Sequence, residues 1–127
     1  MYNFFRKFFK TNKKLTPKDS FFLNIYKNSE ISKLFDSISN FNDTSEIRYV
    51  GGCVRKILNQ EDVDDIDLAV NLNPNQVIEC LQSNSIKFFE TGIKHGTITA
   101  NIGQKNFEIT SLREDVDTDG RHANVKY

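Results

Sequence analysis

Five of the seven residues from Glu61 to Asp67 are acidic, and the run ends as Asp65-Ile66-Asp67 at the head of an apolar stretch, Leu68-Ala69-Val70. Side chains at i and i+2 of an extended strand share a face. Asp65 and Asp67 are therefore expected to present two carboxylates on one side while Ile66 and Leu68 pack on the other. Two like charges so close repel unless a cation sits between them. Mg²⁺ fits that place: it takes hard oxygen ligands, keeps several waters, and is typically held by one or two carboxylates plus substrate phosphates. Asp65 and Asp67 are the expected metal ligands, and Glu61, Asp62 and Asp64 read as a solvated loop.

Two further features bear on the same chemistry. Gly51-Gly52 stands between an apolar strand and a helix start, where missing Cβ atoms let backbone N–H groups approach an anion and the helix end favours it. Arg55 follows within the first turn and can add a fork of donors to that anion. Gly-Gly alone at a strand end is a plain turn; followed by a helix and then an Asp-x-Asp strand, it describes a triphosphate with its metal. Glu108 alternates with Phe107 and Ile109, so it projects with Thr110 from one face of a strand that can lie beside Asp-x-Asp. Three carboxylates on two strands can hold two metals for in-line phosphoryl chemistry. Glu108 also fits an exposed strand position with no role.

The elements that must position these groups follow from periodicity. The patterns predict a strand at 48–50, a helix from about Cys53 to Asn59, a strand at 66–70, and a helix opened by Asn73-Pro74 that runs to about Ser83. Three strands follow near 87–91, 96–102 and 106–112, the last two joined by a hairpin at Gly103-Gln104-Lys105. The expected fold is α/β (α+β), a small mixed sheet with helices on one face and the other face open to a ligand or to further chain. Ahead of it, 21–45 reads as a helical lead-in, with Phe22, Ile25, Tyr26, Ile31, Leu34, Phe35 and Ile38 in helical rhythm and a break near Asn28-Ser29. Residues 1–20 form a basic and aromatic N-terminal segment, and 46–127 the main unit.

The chain has 127 residues, 17 basic and 17 acidic, enough for one domain or part of one, and its neutrality argues neither for nor against a polyanionic partner. The distribution is uneven: Arg6, Lys7, Lys10, Lys13, Lys14 and Lys18 precede the first carboxylate, Asp19. Phe4, Phe5, Phe8 and Phe9 could form one side of a membrane-surface helix there, but a stripe so short more often packs on its own domain or frays. No stable membrane association is expected, and no apolar run has the length to cross a bilayer. Cys53 and Cys80, distant and without a secretory leader, read as small apolar residues in a reducing cytoplasm.

The motifs "RYVGGCVRKIL", "DDIDLAV", "PNQVIECL", "TGIKHGTITANI" and "FEITSLREDVDTDGRHANVKY" occur in an order and spacing that resemble the catalytic head of bacterial tRNA nucleotidyltransferases (CCA-adding enzymes) and the related poly(A) polymerases, of the DNA polymerase β superfamily. The resemblance covers about Ile47 to Tyr127. It implies a nucleotidyltransferase palm, incomplete at its C-terminal end, that adds CMP or AMP from CTP or ATP to an RNA (tRNA) 3′ end by two-metal transfer. It further implies that Gly51, Gly52 and Arg55 hold the nucleotide, that Asp65 and Asp67 bind the metals, and that Arg113 with Arg121 in the Asp119–His122 segment lines the cleft. His95, in "KHGT", reads as a structural turn residue. Two departures stand out. Lys56 occupies a position where the family usually has Asp, and the chain stops before the family's neck, body and tail. A separately supplied C-terminal part is therefore expected; the alternatives are a non-catalytic truncated remnant or nucleotide- or protein-binding module, and a minimal nucleotidyltransferase that modifies proteins or drugs.

Overall fold

A computed structural model of the chain describes residues 29–118 and 123–127. The basic N-terminal segment, the helical rhythm ahead of Ser29, and Asp119–His122 with Arg121 lie outside the described residues.

Helix α1 (Ser29–Ser39) places Ile31, Leu34, Phe35 and Ile38 on one face at helical spacing, and all four are essentially fully buried. The following loop is closed by short polar side chains: Asn42 Oδ1 accepts from Thr44 N–H (2.9 Å), and Ser45 Oγ donates to Ile38 O (2.6 Å). Strand β1 (Ile47–Val50) leads through Gly51 into α2 (Gly52–Leu58), which buries Cys53 and Ile57. Strand β2 (Asp67–Val70) follows. Asn71, just after it, is a clip: its Oδ1 accepts from Glu46 N–H (2.8 Å) and its Nδ2 donates to Thr44 O (2.7 Å), tying the loop after α1 to the sheet.

Helix α3 (Pro74–Ser83) begins as its sequence dictates. Asn73 Oδ1 accepts from Gln76 N–H (2.9 Å) while Gln76 Oε1 accepts from Asn73 N–H (3.0 Å), with Pro74 at the first helical position. It ends where Ser85 takes φ 55° and Ile86 N–H donates back to Leu81 O (2.9 Å), the left-handed exit expected of a helix C-terminus. Cys80 is in its buried face; burial pushes that thiol up, and Sγ donates to Ser37 O (3.2 Å) of α1. Strand β3 (Lys87–Gly92), a 3₁₀ turn (Ile93–His95), β4 (Thr97–Ile102) and β5 (Lys105–Ser111) complete the sheet. The β4–β5 turn is tighter than the three-residue loop expected. Gly103 and Gln104 both have positive φ (56° and 66°) and Lys105 already pairs with Ile102, a two-residue turn of the kind that suits strand twist.

The sheet order is β1-β2-β5-β4-β3, with β2 and β5 parallel and the other neighbours antiparallel. One face buries Leu68, Val70, Ile98, Ala100, Phe107 and Ile109 in a single core with α1 and α3. The mixed sheet with one open face is thus as the periodicity required. The sequence did not foretell strand β6 (Glu114–Thr118), which forms a separate two-stranded ribbon with β7 (Ala123–Lys126).

Phe35 is fully buried with its ring centroid 4.9 Å from that of Tyr49, joining α1 to β1. Phe35→Ala is expected to cost about 3–5 kcal/mol, whereas exposed Lys33→Ala should stay within about 0.5 kcal/mol. Urea unfolding checks both; a cost below about 1 kcal/mol for Phe35→Ala would mean that α1 is not part of this core.

Candidate active site

The candidate groups gather on the open face because strand pairing lines its side chains into rows. Asp67 opens β2 and is the register partner of Val50 on β1 and of Glu108 on β5; Glu108 in turn opposes Thr99 on β4, and Thr99 opposes Phe89 on β3. Side chains of directly opposed residues stand on the same face. One row therefore runs Val50, Asp67, Glu108, Thr99, Phe89 across all five strands. Directly beneath Asp67 and Glu108 in sequence, Leu68 and Ile109 are wholly buried. The core fixes which way the carboxylates face.

Gly51 meets this row from the β1 side. Its backbone has φ 72° and ψ −148°, a conformation open to glycine and strained for other residues, and a Cβ built on it would lie 3.4 Å from Asp67 Oδ2. A Cβ on Gly52 would meet nothing within 4 Å. Gly51 thus sets an exposed turn of backbone facing the Asp67 carboxylate, with open space at Gly52. Cys53 Sγ, donating to Val50 O (2.9 Å), anchors the turn from beneath. Arg55 lies on the short helix that follows, with an exposed side chain.

The β2 ladder begins at Asp67, one residue later than the strand expected at 66–70, so Asp65 lies in the extended loop ahead of it and is exposed, while Ile66 packs against the core as expected. On the β1 side pairing ends with Val50. Among the described residues no group of three or more His, Cys, Asp or Glu side chains is close enough to hold a metal ion. The expected set of Asp65, Asp67 and Glu108 is thus not closed around one point. The donors present, carboxylate oxygens in a row beside an exposed backbone turn, still fit a hard cation that draws its other ligands from phosphate and water.

The loop 59–66 that carries Asp65 is itself held. Glu61 N–H donates to Lys56 O (2.8 Å), Asn59 Nδ2 donates to Glu61 Oε1 (3.1 Å), and Lys56 Nζ lies 3.2 Å from Asp64 Oδ2. Asp64, read from sequence as simply solvated, has a partner. The pair is exposed on the Asp64 side and such pairs contribute about 0.2–1 kcal/mol, enough to bias a loop but not to hold a fold. Arg113 follows β5, at the exit of the strand that carries Glu108, with an exposed side chain. His95 ends the 3₁₀ turn, exposed, as a turn residue.

Comparison with known proteins bears on this arrangement. Residues 47–127 match the sequence model of the poly A polymerase head domain. The chain belongs to that family. This head domain is 49% identical over 86 residues to the human protein named CCA tRNA nucleotidyltransferase 1, mitochondrial, and 40% identical over 77 residues to the CCA-adding enzyme of Oceanobacillus iheyensis. Those alignments cover 67% and 60% of this chain but 20% and 18% of the relatives, so the chain spans about a fifth of their length. Its fold matches that of the Bacillus stearothermophilus CCA-adding enzyme, solved in complex with CTP, with a TM-score of 0.59 over 80% of this chain and 22% of that one, at 22% identity.

The left-handed glycine at the head of α2 gives a direct test of the turn's geometry. Gly51→Ala is expected to destabilise the head by about 1–3 kcal/mol through backbone strain, and Gly52→Ala by no more than about 0.5 kcal/mol because it starts a helix in open space. Equal costs in urea unfolding would show that the turn does not require φ 72° at Gly51.

Proposed function

We propose that this head domain is the catalytic palm of a nucleotidyltransferase that adds CMP or AMP, from CTP or ATP, to the 3′ hydroxyl of an RNA, with tRNA as the substrate that its relatives' names suggest. The observation that carries the proposal is that the Gly51 turn faces the Asp67 carboxylate, with Glu108 next along the same row. Gly51, Gly52 and Arg55 would receive the triphosphate, the glycines by backbone N–H groups and Arg55 by its guanidinium. Asp65 and Asp67 would hold Mg²⁺, which when bound neutralises charge on the phosphates and favours ionisation of an attacking hydroxyl. Glu108 stands on the far side of Asp67 from the glycine turn. Its carboxylate can add a ligand there or accept the proton of an entering hydroxyl. None of these groups reads a base, so base selection and most of the grip on RNA fall to the remaining four fifths of the relatives' length, whether continuous with this chain or separately supplied. A cytoplasmic setting is part of the proposal and is supported by two buried free thiols.

Mn²⁺ titration of the head, followed by competition among CTP, ATP, GTP and UTP, tests the site. Asp67→Ala should weaken Mn²⁺ and triphosphate binding at least about tenfold, Asp65→Ala less, and the four nucleotides should bind within about tenfold of one another. Equal Mn²⁺ affinity in wild type and the Asp65→Ala/Asp67→Ala double variant would refute the site. Incorporation of labelled CTP and ATP into tRNA lacking its terminal CCA, with the remaining domains present, tests the reaction; binding without incorporation would assign the chain to nucleotide binding alone.

A further inference from the structure

Phe89 lies at the end of the row opposite Gly51 and is 40% exposed, although it is a large aromatic on a sheet face. Its neighbour Phe88 turns the other way and packs against the core, so the exposure of Phe89 follows from strand alternation and not from fraying. Lys87, two residues back on the same face, sets its Nζ 5.3 Å from the Phe89 ring centroid. Between this pair and the carboxylates the face consists of short polar side chains. Thr97 Oγ1 and Thr110 Oγ1 are 3.0 Å apart, and Asn101 Nδ2 donates to Asn106 Oδ1 (2.8 Å). An aromatic ring, a cation beside it and a lane of hydroxyls and amides suit a nucleobase, a phosphodiester and a ribose better than an apolar protein face.

The direction of in-line transfer says which nucleic acid group would lie there. Attacking and leaving oxygens stand roughly opposite one another across the transferred phosphorus. The glycine turn takes the triphosphate on the β1 side of Asp67, so the hydroxyl has to enter from the β5 side, over Glu108 and Thr99. The strand that carries it then continues toward β3. Three strand spacings separate β2 from β3, about 14 Å, the reach of a short single strand. We propose that Phe89 and Lys87 form a docking platform for the RNA strand upstream of its 3′ end, with Phe89 stacking on a base and Lys87 leaving one side of the ring to meet a phosphate. This rests on the nucleotidyltransferase reading, because that reading sets the direction of entry.

A labelled hexaribonucleotide ending in cytidine, followed by fluorescence anisotropy on the whole chain, tests the platform, alongside Mn²⁺·CTP titration of the same variants. Phe89→Ala and Phe89→Leu should each weaken the oligonucleotide at least about tenfold, and Phe89→Tyr should restore it, since stacking needs a ring and not merely apolar volume. Lys87→Gln should lower the salt slope by about 0.7, the loss of one single-strand phosphate contact. Mn²⁺·CTP affinity should be unchanged in all four. The platform is overturned if wild type binds no oligonucleotide, if Phe89→Ala binds it as wild type does, or if Phe89→Ala weakens CTP as much as RNA, which would put the incoming base on the ring. Ring-dependent RNA binding in a protein that binds no Mn²⁺·CTP would reject the nucleotidyltransferase site and overturn the assignment of the platform to the strand upstream of a 3′ end, leaving an RNA-binding face alone.

Discussion

The parallel pairing of β2 with β5 is the constraint on which the rest of the head depends. It sets Asp67 beside Glu108 on one face and Leu68 beside Ile109 on the other. The first pair is unfavourable by itself, since like charges directly opposed on neighbouring strands repel. The second pair offsets it: each large aliphatic side chain fully buried contributes about 1.5–3 kcal/mol. A slip of one residue between these strands would exchange the faces, burying carboxylates and exposing the core. The hydrophobic side of the sheet therefore enforces a like-charge arrangement that the polar side would not adopt unaided.

A parallel pair cannot be closed by a tight turn, and the intervening chain does further work. Helix α3, β3 and β4 fill the crossover, and α3 covers the same core that holds Leu68 and Ile109 down. Helix α1 lies outside the segment that matches the family, yet its four buried side chains and the Asn71 clip make it part of the same packed unit. Helices α1 and α3 cover the same face. The opposite face is left as an exposed lane bounded by the Gly51 turn at one end and Phe89 at the other.

Lys56 illustrates how a local charge is absorbed. Its ammonium, on α2, reaches Asp64, next to Asp65, and offsets part of the acidic loop's charge. The loop backbone is held independently by Glu61 N–H on Lys56 O, so the ion pair adjusts the loop without carrying it.

Local rules were enough to read the elements. The period of Ile31, Leu34, Phe35 and Ile38 marks α1, Asn73-Pro74 with Gln76 starts α3, and alternation through Phe107, Glu108 and Ile109 assigns faces, because each depends on neighbours within a few residues. The carboxylates and the glycine turn were legible for the same reason. What lay beyond local rules was which strands pair and where pairing stops. That decided that Asp65 falls outside the ladder and that Phe89 shares a row with Asp67. Each of these is set by contacts between residues distant in sequence, and such contacts are chosen by the burial of the whole core, which no single segment encodes.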